Sequence, residues 1–240
     1  MVTGASGGIG EAIARALHRE GFSVALGARR VERLEALTAE LGARAWHHPL
    51  DVADGASVGE FCDRLGRVDV LGNNAGGALG LDPVAEANED DWLVMYQSNV
   101  MGTLRMTKAL LPRLIASGNG LVVNIGSVAG FEPYPGGAGY NAAKHALRAL
   151  NDVLRMELLG KPVRVSEIDP GMVETDFSLV RFKGDTARAS RVYDGVTPLT
   201  PDDVAQCVSF VATRPSHVDI DHLVVRPRDQ ARAHLVNRAR

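Results

Sequence analysis

Short continuous apolar runs alternate along the chain with longer segments in which apolar residues recur every third or fourth position. SVALGA at 23–28 reads as a buried strand, and EAIARALHRE at 11–20 before it as an amphipathic helix. VERLEALTAEL at 31–41 is helical, with Leu34, Leu37 and Leu41 at three- and four-residue spacing. RAWHHPLDV at 44–52 holds a third strand, 53–66 a helix, and VDVLGNNAG at 68–76 a fourth strand running into a turn. The stretch 90–116 reads as a long helix, interrupted or bent near Pro112 because proline lacks an amide hydrogen. GLVVNIGS at 120–127 is a fifth strand, 140–160 a long helix and VRVSEIDPG at 163–171 a sixth strand. A helix near 201–213 and a last strand, DHLVV, follow a looser segment.

This alternation predicts parallel strands with right-handed crossovers and helices on both faces. Continuous Val, Leu and Ile runs are what strands covered on both faces require. With no internal repeat, low-complexity tract or linker, the expectation is one α/β domain over 1–240, a doubly wound parallel sheet of about seven strands. Ligands of such sheets bind beyond the carboxyl ends of the strands.

Composition sharpens the picture only locally. The chain is 45% hydrophobic and 23% charged, and no apolar stretch approaches the ~20 residues of a membrane span. No signal peptide is visible, so a cytoplasmic protein is expected. A net charge of −3 speaks against nucleic acid as a partner. Cys62 and Cys207, far apart in sequence, read as free thiols rather than a disulfide or redox pair. The basic tail at 228–240, preceded by Arg226 and carrying Arg228, Arg232, Arg238 and Arg240, leaves two readings open. It is either a solvated extension or a segment docked on a neighbouring subunit or near an active site. The histidines show no ligand spacing, and no metal site is expected.

Chemistry gathers where strands end. In TGASGGIG at 3–10, Gly4, Gly8 and Gly10 let a backbone approach a pyrophosphate at the start of the next helix. Gly4, Ser6 and Gly8 also spell the nucleophile elbow of a hydrolase, but that fold needs several strands before the elbow. The second strand ends not in an acid but in Arg29 and Arg30, which suit a ribose 2′-phosphate through forked charge-assisted hydrogen bonds. After the fifth strand comes Ser127, and YNAAK places Tyr140 and Lys144 one helical turn apart. An ammonium there is expected to lower the phenol pKa toward working pH, so that Tyr140 exchanges a proton with a substrate oxygen held by Ser127.

In combination these motifs resemble the short-chain dehydrogenase/reductase family over residues 1 to about 227. The resemblance implies a Rossmann-like fold, NADP as cofactor, and hydride transfer between an alcohol and its ketone or aldehyde. It extends to NNAG at 73–76, SNVMG at 98–102 and IDPGMVET at 168–175. By that likeness Asn99 is the fourth catalytic residue, holding a water that links Lys144 to solvent. Ser6 and Ile9 join the glycines of the loop, Asp51 and Val52 border the adenine, and Asn74 and Gly76 line the adenine ribose. Pro170, Gly171, Val173 and Thr175 face the nicotinamide, and Tyr140 and Lys144 also touch the cofactor. The segments VRFKGD, TPLTPDDVA and HLVVRPRDQ resemble the branch of NADP-dependent 3-hydroxy acid (serine, allo-threonine) dehydrogenases and related aldehyde reductases. That branch implies a small β-hydroxy acid as substrate and a homo-oligomer, tetramer or dimer; either Arg181 or Lys183 pairs with the substrate carboxylate, or both are solvated charges of a lid loop. The alternative is a non-catalytic dinucleotide-binding regulator of the same fold.

Two departures stand out. Only Met1, Val2 and Thr3 precede the glycine loop, so the first strand is truncated. About four missing buried apolar residues are worth roughly 6–12 kcal/mol. The expectation is that the natural chain starts earlier and that an apolar extension raises the melting temperature. The loop also carries no basic residue at Gly7, leaving the arginines after the second strand to select the phosphate.

Overall fold

The computed structural model describes residues 1–239. The apolar runs become seven parallel strands in the order β3-β2-β1-β4-β5-β6-β7. They are β1 (Val2–Thr3), β2 (Val24–Ala28), β3 (Ala45–Pro49), β4 (Val70–Asn73), β5 (Gly120–Ile125), β6 (Val163–Pro170) and β7 (His222–Val225). β2 and β5 are buried at every position, whereas β3 and β7, at the two edges, are only half-buried. The order reverses between β1 and β4, and the crevice at that switch point is where a doubly wound sheet receives its ligand.

The helices are α1 (Gly8–Arg19), α2 (Val31–Leu41), α3 (Gly55–Asp63), α4 (Glu89–Tyr96), α5 (Gly102–Ala116), α6 (Ala138–Glu157), α7 (Phe177–Arg181), α8 (Thr186–Arg191) and α9 (Pro201–Ala212). On one face Ile13 and Leu17 of α1, Leu34 of α2 and Val204, Val208 and Val211 of α9 pack against Leu26, Val123 and Ile168 of the sheet. On the other, Phe61 of α3, Met106, Leu110 and Leu114 of α5 and Leu154 of α6 cover Leu71, Val122 and Val165. Starts follow the expected capping chemistry: the Asn88 side chain accepts from Asp90 and Asp91 of α4, and Thr200 with Asp203 closes a capping box on α9 behind Pro201.

The helix expected over 90–116 breaks elsewhere than proposed. α5 runs through Pro112 to Ala116, and the change of register is a π-helical turn at Gln97–Met101. One extra residue per turn there rotates the α5 face relative to α4, and such turns favour functional sites. This one carries Asn99.

β1 is short, yet it lies at the centre of the sheet, paired with both β2 and β4. The Met1 ammonium donates to the Val70 carbonyl at 2.9 Å, and burial lowers its pKa to about 6. Behind it lies a cavity of about 450 Å³ lined by Met1, Val24, Trp46, Leu65, Val68 and Val70. Cys62 and Cys207 are both free thiols. No helix of the described residues is long and apolar enough to cross a membrane.

The basic tail docks on its own chain. Buried Glu132 receives Arg226 at 2.9 Å, Arg232 at 3.0 Å and the Ala233 amide at 2.8 Å. Farther on, Arg238 donates to the Val192 and Asp194 carbonyls, and the Ala239 amide to Gly195. Arg228 alone matches the solvated reading, 92% exposed beside Asp229. Arg240 lies outside the described residues.

Candidate active site

The loop from Gly4 to Gly10 leaves β1 and enters α1 with Gly4 at φ +65° and Gly8 at φ +54°, angles that favour glycine. A Cβ on Gly10 would collide with the Gly4 carbonyl and the Asn74 amide. The loop is locked to the end of β4: Thr3 Oγ1 accepts from the Asn74 and Ala75 amides at 2.9 Å each, and Asn74 Nδ2 donates to the Thr3 carbonyl at 3.0 Å. Bare backbone at a helix N-terminus is the cradle a pyrophosphate requires. Ser6 is buried in this loop, Ile9 packs against the core, and Thr175 reaches across from beyond β6 to touch Gly8.

At the loop's edge Arg30 donates from Nε to Ser6 Oγ at 3.1 Å and from Nη2 to the Ser6 carbonyl at 3.3 Å. Arg30 and Arg33 both reach Asp176 at 3.4 Å. A Cβ at Gly7 would stand 3.0 Å from Arg30 and 3.3 Å from Arg33, so these guanidinium groups fill the space that a basic side chain at position 7 would need. Arg30 and Arg33 thus stand together at Gly7, while Arg29, next to Arg30 in the chain, is exposed as Arg30 is. Arg33 went unseen in the sequence, although it lies one helical turn after Arg30. Beyond β3, Asp51 caps the Ala53 amide at 2.9 Å, and Val52 is buried beneath Gly102. The groups at this switch point fit a dinucleotide carrying a 2′-phosphate.

The reactive cluster lies beyond β5. Ser127 Oγ accepts from the Ala129 amide at 3.1 Å and lies near enough to the Tyr140 hydroxyl to lower its pKa. Lys144 Nζ donates to the Ile125 carbonyl at 2.8 Å and stands 5.8 Å from the centre of the Tyr140 ring. The expected lowering of the phenol pKa by Lys144 is not what governs this chain. Burial and then Tyr134 push Tyr140 up, while Ser127 and Arg181 pull it down. Burial lowers Lys144 to about 8 against the pull of Asp169 and Glu167. Asn99 Nδ2 donates to the Gly77 and Met95 carbonyls at 2.9 and 2.7 Å. Its Oδ1 is buried against Gly76, where a Cβ would collide with it, and has no partner among the described residues.

Pro170 ends β6, the Gly171 amide donates to Val225 at 2.7 Å, and Val173 bridges to Leu199. Gln230, buried and unremarked in the sequence, accepts from the Met172 amide at 2.9 Å. α7 folds over the cleft. Arg181 Nε donates to Gly80 at 2.9 Å and Nη1 to Tyr134 Oη at 2.9 Å, beside the Tyr140 ring. Its Nη2 is buried with no partner among the described residues. Arg181, Tyr140, Trp92 and Met95 line a cavity of about 20 Å³. Lys183 is paired at 2.8 Å with Asp91, which lines the same cavity.

A model of the short chain dehydrogenase family matches residues 1–184. The chain belongs to the short-chain dehydrogenase family. It is 58% identical over 233 residues to an uncharacterized oxidoreductase of Mycobacterium tuberculosis, spanning 97% of this chain and 92% of that one. It is 44% identical over 240 residues to the NADP-dependent 3-hydroxy acid dehydrogenase YdfG of Salmonella typhi, spanning 98% and 97%. Among solved structures, the closed form of serine dehydrogenase complexed with NADP+ superposes with a TM-score of 0.94 at 41% identity, covering 100% of this chain and 98% of that one.

Proposed function

We propose that this short-chain dehydrogenase is an NADP(H)-dependent oxidoreductase interconverting a small 3-hydroxy acid and its carbonyl product. The observation that carries this reading is the meeting of Ser127, Tyr140 and Lys144 beside a glycine cradle edged by Arg30 and Arg33. The relatives named for NADP dependence support the same cofactor.

Bound at the cradle, the nicotinamide supplies a carbon that accepts or gives a hydride. Gly4, Gly8, Ile9 and Gly10 hold its diphosphate, Asp51 and Val52 border the adenine, and Asn74 and Gly76 the ribose. Pro170, Gly171, Val173 and Thr175 shape the nicotinamide side. Ser127 holds the substrate oxygen, and the buried Tyr140 hydroxyl gives its proton to the carbonyl oxygen in reduction and takes it back in oxidation. Lys144 keeps positive charge beside the phenolate, and Asn99, with its free buried oxygen, holds the water that connects Lys144 to solvent. Arg181 Nη2 takes the substrate carboxylate, a role that Lys183, engaged by Asp91, does not share. All four catalytic side chains are present, and nothing favours a non-catalytic regulator.

The chain works as a homo-oligomer, a tetramer or a dimer. Leu93, Val94, Tyr96 and Leu104 on α4–α5 and Val153 and Met156 on α6 leave apolar surface exposed. Its free thiols suit the reducing cytoplasm. The test is a panel of hydroxy acids, ketones and aldehydes followed by nicotinamide absorbance with NADP(H) and NAD(H). Turnover of 3-hydroxy acids with NADP supports the reading. Inactivity across the panel overturns it.

A further inference from the structure

The register of β5, β6 and β7 gathers a set of ionisable groups beneath Ser127 that the reaction above does not use. Asp169, fully buried on β6, accepts from the Ser127 amide at 2.6 Å. Its other oxygen accepts from His222 Nε2 on β7. Glu167 lies beside it, 2% exposed, with Oε1 lacking a partner among the described residues. A Cβ on Gly126 would collide with both carboxylates, so the glycine before Ser127 is what admits them.

The oxygens of Glu167 and Asp169 and the His222 nitrogen lie within 4.8 Å of one another, a spacing that no reading of the histidines in sequence revealed. The surroundings disfavour a bound cation. Arg148 Nη1 stands 3.5 Å from His222 Nε2, and Lys144 adds a second positive charge above. What the cluster does touch is the reactive end of β5.

We propose that Asp169, braced by His222, is a positioning residue for Ser127 and for the charge state of the Tyr140–Lys144 pair. The inference rests on the oxidoreductase reading. One Asp169 oxygen fixes the amide of Ser127 and thereby the start of the turn that aims its hydroxyl. The His222 ring fixes the other oxygen, and is itself set edge-on to Phe131 at 5.9 Å. The groups that face Asp169 are Glu167 on its own strand, Tyr140, Lys144 and Arg148 on α6, and His222 on β7. Burial and then the neighbouring Asp169 raise the Glu167 pKa. The Asp169 carboxylate raises the pKa of both Tyr140 and Lys144.

Three substitutions test this. Asp169→Asn, made in a Glu167→Gln background so that the neighbouring carboxyl cannot ionise in its place, keeps an acceptor for the Ser127 amide but removes the charge. Both limbs of the kcat–pH profile then move to lower pH, by roughly 0.5–1 unit, as expected when a nearby anion is lost. His222→Phe keeps an aromatic ring against Phe131 but removes the donor. It lowers kcat about tenfold with both KM values unchanged, an effect confined to the chemical step. His222→Gln can still donate and recovers most of that loss. NADPH fluorescence titration shows that each variant is folded, and if Asp169→Asn does not fold, the two His222 variants decide. Wild-type kcat in His222→Phe, or an unshifted profile in folded Asp169→Asn, overturns the proposal. A wild-type chain that turns over nothing in the panel overturns instead the oxidoreductase reading on which it rests.

Discussion

Replacing Arg30 by alanine removes three directed donors at the edge of the glycine loop. Two of them meet the Ser6 hydroxyl and carbonyl at 3.1 and 3.3 Å, and the third meets Asp176 at 3.4 Å. A hydrogen bond to a charged group is worth about 1.5–3 kcal/mol. The Arg30 side chain is 48% exposed, so solvent screening brings its value toward about 1–2 kcal/mol. Turned onto the 2′-phosphate, a contact of that value lowers the KM for NADP by roughly 5- to 30-fold, so its removal raises KM by the same factor. NAD, which lacks the 2′-phosphate, should bind the variant as it binds the parent, so the preference for NADP falls by the same factor. Steady-state kinetics with each coenzyme at saturating substrate measures both quantities. Arg33→Ala should act in the same direction. Asp176→Ala, which frees both guanidinium groups, should tighten NADP. An Arg30→Ala variant whose KM for NADP stays within twofold of the parent would refute the reasoning.

The folded-state pKa of Lys144, about 8, lies below the ordinary 10.5, so the folded chain binds fewer protons between those values and gains stability as pH rises through them. Lys144→Met should therefore be more stable than the parent at neutral pH by about 3 kcal/mol, a gain that disappears above the ordinary pKa, as thermal melts across pH would show. Glu132→Ala strips the buried anchor from Arg226 and Arg232; a loss of about 2 kcal/mol and faster proteolysis of the tail are expected. An apolar extension at the N-terminus that enters the cavity between β2 and β4 replaces a buried ammonium by a peptide amide, and should raise the melting temperature.

The strand runs and the glycine loop could be read directly because each is a local pattern with a local cause. Tyr140 and Lys144 were legible for the same reason, being one helical turn apart. What escaped depends on register or on long-range pairing. The π-helical turn at Gln97–Met101 has no marker comparable to Pro112, yet it is the turn that seats Asn99. His222 and Asp169 meet only because β7 pairs with β6, and Gln230 and Glu132 become visible only once the tail has folded back. The phenol's pKa also escaped, since burial, which sequence spacing does not report, outweighs the neighbouring charge.

The most direct measurement is single-turnover oxidation by Tyr140→Phe, with NADPH affinity measured on the same preparation. Removing a general acid–base hydroxyl should slow hydride transfer about 10²- to 10⁴-fold, while coenzyme affinity stays within about twofold. A variant that oxidises the alcohol as fast as the parent would contradict the account.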